Sequence, residues 1–140
     1  MAYITQEEKK QRAPQIKAVL KKYGLKGTIG VRNHMTLYVT IKEGALDFIG
    51  AAQKINNDYA EMRGIKPVIM DNYDTIHHRH ADRYRRFDET IANFIDELDA
   101  AMKGVTYYNN DDIMTDYFDR AFFININVGE WRKPYVYTGA

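Results

Sequence analysis

Cysteine is absent from the 140 residues. That excludes disulfides, thiolate catalysis and every cysteine-based zinc site. Serine is absent as well, which removes a serine triad and the GxSxG nucleophile elbow. Neither a P-loop nor a GxGxxG stretch occurs. No apolar run approaches the roughly 20 residues that span a bilayer. The opening stretch Met1-Ala2-Tyr3-Ile4-Thr5-Gln6-Glu7-Glu8-Lys9-Lys10 has no apolar segment of the kind that marks a secretory signal. The net charge is only +1, so bulk charge makes no argument for nucleic acid. With 45% hydrophobic and 28% charged residues, the composition is that of an ordinary globular chain. Its length suits one domain, residues 1–140, with a core of its own. The expectation is a cytoplasmic protein that needs no cofactor.

What is present reads as helices alternating with short strands. Thr5 followed by Glu8 is a capping box, so a helix starts there. Pro14 sits inside it, which predicts either a kink or a second helix with Pro14 in its first turn. Ile16, Val19, Leu20 and Tyr23 form an apolar stripe that Gly24 ends. Residues 28–41 alternate with period two around Asn33-His34, which predicts a hairpin with Ile29, Val31, Leu37, Val39 and Ile41 inward. Phe48, Ala52, Ile55, Tyr59 and Met62 mark one face of a helix over 45–62, stopped by Gly64. Residues 65–70 read as a connector or an edge strand, because Pro67 cannot donate to a ladder. Phe87, Ile91, Phe94, Ile95, Leu98 and Met102 give the strongest helical stripe, with Asp88 and Glu89 at its start and Lys103-Gly104 at its end. Residues 121–128 alternate as a half-buried strand, and 134–137 as an edge strand. The fold class is α+β: a mainly antiparallel, twisted sheet with its helices on one face.

Three charged or aromatic clusters carry functional content. Residues 9–42 hold nine cations (Lys9, Lys10, Arg12, Lys17, Lys21, Lys22, Lys26, Arg32 and Lys42) and no acid. They form a candidate face for a polyanion or, alternatively, a solvated helix surface. A second set is His77-His78-Arg79-His80 with Arg83, Tyr84, Arg85 and Arg86. It reads as a phosphate- or acid-binding surface, since arginine forks bind bidentately and tyrosine stacks on bases. A metal site built on His77, His80 and Asp74 and a plain solvated helix are its alternatives. Asp74 and His77 form an acid/base pair in principle. The third set, Tyr107, Tyr108, Asp111, Asp112, Asp116, Tyr117 and Asp119, is acidic and aromatic. It reads as a protein-binding loop, a mimic of a phosphate backbone or, alternatively, an ordinary capped loop. Its carboxylates are also a candidate Mg²⁺ or Ca²⁺ site, though it lacks the glycine and terminal glutamate of an EF-hand. No catalytic residue is assigned.

The block Asp111-Asp112-Ile113-Met114-Thr115-Asp116-Tyr117-Phe118-Asp119 leads into Phe122-Phe123-Ile124-Asn125-Ile126-Asn127-Val128-Gly129 and Trp131-Arg132-Lys133-Pro134-Tyr135. With Ala18-Val19-Leu20-Lys21-Lys22-Tyr23-Gly24 and Val31-Arg32-Asn33-His34-Met35-Thr36, it resembles a large-polyvalent-protein-associated domain of the LPD29-like type. The resemblance implies an accessory protein of a phage or mobile element. Small free-standing examples are candidates for countering host defence, including CRISPR systems. It carries over no catalytic residue, and the leading expectation is a non-enzymatic binding protein whose partner is a host protein or ribonucleoprotein complex. Direct nucleic-acid binding and metal-dependent catalysis are the alternatives.

Overall fold

In the computed structural model, residues 4–78, 80–104 and 122–139 are described. Helix α1 runs over Gln6–Lys22. The Thr5 hydroxyl accepts from the Glu8 amide at 3.0 Å, as the capping box requires. Pro14 neither ends the helix nor starts a second one; α1 continues through it. The ring points to solvent, while Arg12, Ile16 and Leu20 are buried around it. Burial of that face outweighs the single amide hydrogen bond that proline removes.

Strands β1 (Leu25–Arg32) and β2 (Thr36–Gly44) form the expected antiparallel hairpin. Asn33 and His34 take φ of 54° and 56° in its turn. This is the left-handed region, which asparagine tolerates and in which histidine is enriched several-fold. Helix α2 spans Phe48–Arg63, with Asp47 accepting from the Gly50 amide at 2.9 Å and Gly64 closing it at φ 66°. Its apolar stripe is only half used. Phe48 and Ala52 are buried, but Tyr59 and Met62 are 53% and 80% exposed.

Residues 65–73 connect without forming a strand, and a short strand not anticipated from the sequence follows, β3 (Asp74–Ile76). A single helical turn, α3 (Ala81–Arg85), leads to α4 (Glu89–Lys103). Helix α4 buries Ile91, Phe94, Ile95, Leu98 and Met102, and Asp88 caps it by accepting from the Ile91 amide. Strands β4 (Phe123–Val128) and β5 (Val136–Tyr137) complete the sheet.

The strand order is β1-β2-β4-β3, with β5 beside the end of β2. The α+β class is as expected, and the sheet is mixed: β1–β2 and β3–β4 pair antiparallel, while β2 pairs parallel with both β4 and β5. Period-two alternation assigns faces, not directions. The Phe123 end of β4 meets the Thr36 end of β2, so the chain has crossed back before β4 begins, and the two strands run the same way. One cluster joins Leu37, Val39, Ile41, Ile126, Val128 and Ile76 of the sheet to buried apolar residues from each of α1, α2, α3 and α4. The helices therefore cover a single face.

Candidate functional site

The site grows from the turn after β3, where the His80 amide donates to the His77 carbonyl at 2.9 Å. His78 points inward and is 6% exposed. Its Nδ1 lies 2.7 Å from Asp99 Oδ1, and Asp99 Oδ2 lies 2.9 Å from Lys103 Nζ. Burial alone would raise the Asp99 carboxyl, but the hydrogen bonds from His78 and Lys103 outweigh it and hold it below its ordinary value. A carboxylate only accepts, so the proton of this contact sits on His78 Nδ1. The anchored ring is the floor of a stack. His77 lies parallel to it at 5.0 Å and 13°, and His80 stacks on His77 at 4.3 Å and 27°.

His77 and His80 face a cavity of about 230 Å³ between α2, β3 and α3. Asn56 comes from α2, Asp74 from β3, and Arg83 and Tyr84 from α3. Burial raises the Asp74 carboxyl, against the lowering effect of its hydrogen bond from the Thr75 amide. Tyr84 is pushed up to about 12, first by burial and then by the negative charge of Asp74, with Arg83 opposing. Its hydroxyl is therefore a donor at neutral pH. Among the described residues, neither that hydroxyl nor the Arg83 guanidinium has a hydrogen-bond or ion-pair partner.

A shallower groove of about 420 Å³ adjoins the cavity and shares Ile55, Asn56 and Arg83 with it. Tyr59, Met62 and Phe87 supply its apolar wall. The connector runs along the same helix and is clamped there by side chains. Gln53 donates to the Val68 carbonyl at 2.9 Å and accepts from the Met70 amide at 2.7 Å; Asn56 reaches the Met70 sulfur at 3.0 Å. This pinned segment presents Ile65, Val68 and Ile69 to solvent, the last at 76% exposure.

The residues singled out from the sequence are sorted differently by the fold. Arg83 and Tyr84 meet His77 and His80 in the cavity. Tyr84 is 7% exposed, so its ring is packed into the core and offers no face for a base. Arg85 is engaged by Asp82, Asn93 and Asp96 at 3.1, 3.1 and 2.8 Å. Arg86 pairs with Asp58 at 3.0 Å. On α1, Lys17 and Lys21 are exposed, whereas Lys22 pairs with Glu97 at 2.6 Å beside the Tyr23 hydroxyl, which also donates to Glu97. Arg32 stacks over Tyr38 at 4.9 Å on the hairpin. Arg12 is structural: its guanidinium donates to the Lys103 carbonyl at 3.2 and 3.1 Å and to the Glu8 carbonyl at 3.2 Å. The cations of residues 9–42 thus do not form one free set.

Arg79, Tyr107, Tyr108, Asp111, Asp112, Asp116, Tyr117 and Asp119 lie outside the described residues. The metal alternative at His77, His80 and Asp74 has no geometry behind it, because stacked rings do not aim their nitrogens at one point. Among the described residues, no three histidine or acidic side chains converge. Asn56, Gln53 and Asp99 are contributors that the sequence reading missed. Once His78 is seen to be buried, its need for a partner is the signal that leads to Asp99. Comparison with protein-family models, with curated proteins and with solved structures finds no match.

Proposed function

We propose that this is a non-enzymatic binding protein of the phage or mobile-element kind. It docks on a host nucleic-acid-handling or defence complex in the cytoplasm and modulates or inhibits it. The docking face is the connector with the adjoining groove: Tyr59, Met62, Ile65, Val68, Ile69 and Phe87, with Arg83 at its edge. The observation that carries this reading is the clamp of Gln53 on the connector. It fixes backbone whose apolar side chains remain in water. Contiguous exposed apolar surface on a folded chain marks an interaction site, and a surface ordered in advance loses less freedom on binding. Tyrosine and arginine are the residue types that dominate binding hot spots. The acidic 107–119 segment belongs to the same proposal as a second contact, and its test is the pair Tyr117→Ala and Asp116→Ala.

Affinity capture from nuclease-treated host lysate tests the reading. The wild type retains a protein partner, and a Met62→Asp, Ile69→Asp variant loses it with no change in melting temperature. Retention by the variant, or capture that nuclease abolishes, would overturn the docking face. A second reading, direct nucleic-acid binding, draws on Lys10, Lys17 and Lys21, which are exposed along α1 with no ion pair among the described residues. Gel shifts across salt test it. Each neutralised phosphate steepens the log–log salt slope by about 0.9 on duplex DNA.

A further inference from the structure

We infer that the cavity between α2, β3 and α3 binds one nucleobase of a nucleotide, of the kind that carries an amino group beside a carbonyl or ring nitrogen. The inference is independent of the docking face, because it rests on the cavity's own donors and acceptors.

Size is the first constraint. At about 230 Å³, the cavity falls below the roughly 300–1,000 Å³ that encloses a drug-sized ligand, so it takes one small planar group. Shape is the second. His80 is the outer ring of the histidine stack, held through His77 and His78 to Asp99 and Lys103. Histidine is one of the side chains on which unstacked bases lie, and a floor fixed in advance favours a flat, aromatic occupant.

Polarity is the third. On the α3 side, Arg83 and the protonated Tyr84 hydroxyl are donors without partners among the described residues. On the β3 and α2 sides the free atoms are acceptors. Asp74 uses one carboxylate oxygen on the Thr75 amide, which leaves the other. The Asn56 amide nitrogen is occupied by Val68 and Met70, which leaves its oxygen. A bare anion would meet the Asp74 carboxylate, and a bare cation would meet Arg83. An alkyl group would strand four polar side chains.

An amino-bearing base satisfies both sides. Its exocyclic amino group donates to Asp74 and Asn56, as acidic side chains accept from cytosine. Its carbonyl or ring nitrogen accepts from Tyr84 and Arg83. Uracil carries carbonyls on both sides of its one ring N–H between them, so a carbonyl oxygen meets an acceptor. Discrimination follows from leaving that acceptor unpaired.

Titration of the full chain with GMP, CMP, UMP, ribose 5-phosphate and inorganic phosphate, followed by amide chemical shifts, tests the site. Saturable shifts confined to residues around Asp74–Tyr84 are expected for GMP and CMP. UMP is expected to bind at least tenfold more weakly, and ribose 5-phosphate and phosphate not to saturate. Asp74→Asn and Tyr84→Phe, which keep the side-chain volumes, should each weaken GMP and CMP at least tenfold. Asp74→Asn should also narrow the gap to UMP. Met62→Asp with Ile69→Asp should leave the titration unchanged, which separates this site from the docking face. The inference is overturned if ribose 5-phosphate or phosphate saturates as readily as GMP, if UMP binds equally, or if no nucleotide saturates by about 10 mM, beyond the millimolar range that binding of about −4 kcal/mol gives.

Discussion

Arg12 offers the sharpest test of how this fold assigns its charges. Its sequence context groups it with the lysines of α1, yet it is 7% exposed. Its guanidinium closes the C-terminal end of α4 by donating twice to the Lys103 carbonyl and once to the Glu8 carbonyl. It also lies over the Phe122 ring at 5.0 Å. Arg12→Ala removes these charge-assisted bonds and the ring contact together. Hydrogen bonds to a charged group contribute about 1.5–3 kcal/mol each at most, and they share one side chain here. The expected loss is therefore about 2–4 kcal/mol. A 140-residue chain unfolds with an entropy of about 0.3 kcal/mol/K, so the melting temperature should fall by roughly 7–14 °C. Arg12→Lys keeps the charge but cannot fork, and it should recover less than half of that loss. Urea unfolding at pH 7, with calorimetry for the midpoint, reads both variants. A loss under about 1 kcal/mol for Arg12→Ala, or a lysine variant equal to wild type, would refute the capping role. It would also return Arg12 to the surface set.

The remaining expectations concern the core and the site. Phe94→Ala removes a fully buried ring packed on Tyr23 and Phe48; urea unfolding should show a loss of about 3–5 kcal/mol. Asp99 titrates below its ordinary value of 3.8 when folded. Its stabilisation is therefore present above that pH and fades as pH falls through the lowered value. The stability gap between wild type and Asp99→Asn should be wide at pH 7 and shrink as the pH is taken below 3.8. Asp74 has the opposite sign. Its folded value is raised, so its charge opposes folding above the ordinary carboxylate range, and Asp74→Asn should melt higher than wild type at pH 7, with the difference closing in acid. Gly44→Ala should destabilise β2, because a Cβ there would meet the Gly24 carbonyl at 2.8 Å and Leu25 Cα at 2.9 Å; thermal unfolding monitors it.

Local rules were legible where a single element decides the outcome. The α4 stripe from Ile91 to Met102, the Asn33-His34 turn and the Gly64 stop each depend on neighbours a few residues away, and each formed as expected. Features set by distant partners were not legible. The stripe on α2 shows that Tyr59 and Met62 share a side with Phe48, but nothing in its period says that they stay exposed. Strand β3 is only three residues long, too short for alternation to register, and it exists because β4 offers an edge. Lys22 and Glu97 are 75 positions apart, so their pairing at 2.6 Å depends on how α1 lies against α4. In the basic cluster, composition singled out the segment around His77–Arg86 as a whole. It did not separate Arg83, which faces the cavity, from Arg85 and Arg86, which aspartates engage.

Site-specific photo-crosslinking in host cells tests the docking face most directly. A photoreactive residue replaces either Ile69 on the connector or Ala18 on the exposed side of α1. A crosslink from position 69 to a protein, unchanged by nuclease and absent from position 18, is the expected result. Crosslinks from position 18 alone, or adducts that nuclease removes, would show that the cationic helix and not the apolar connector meets the partner.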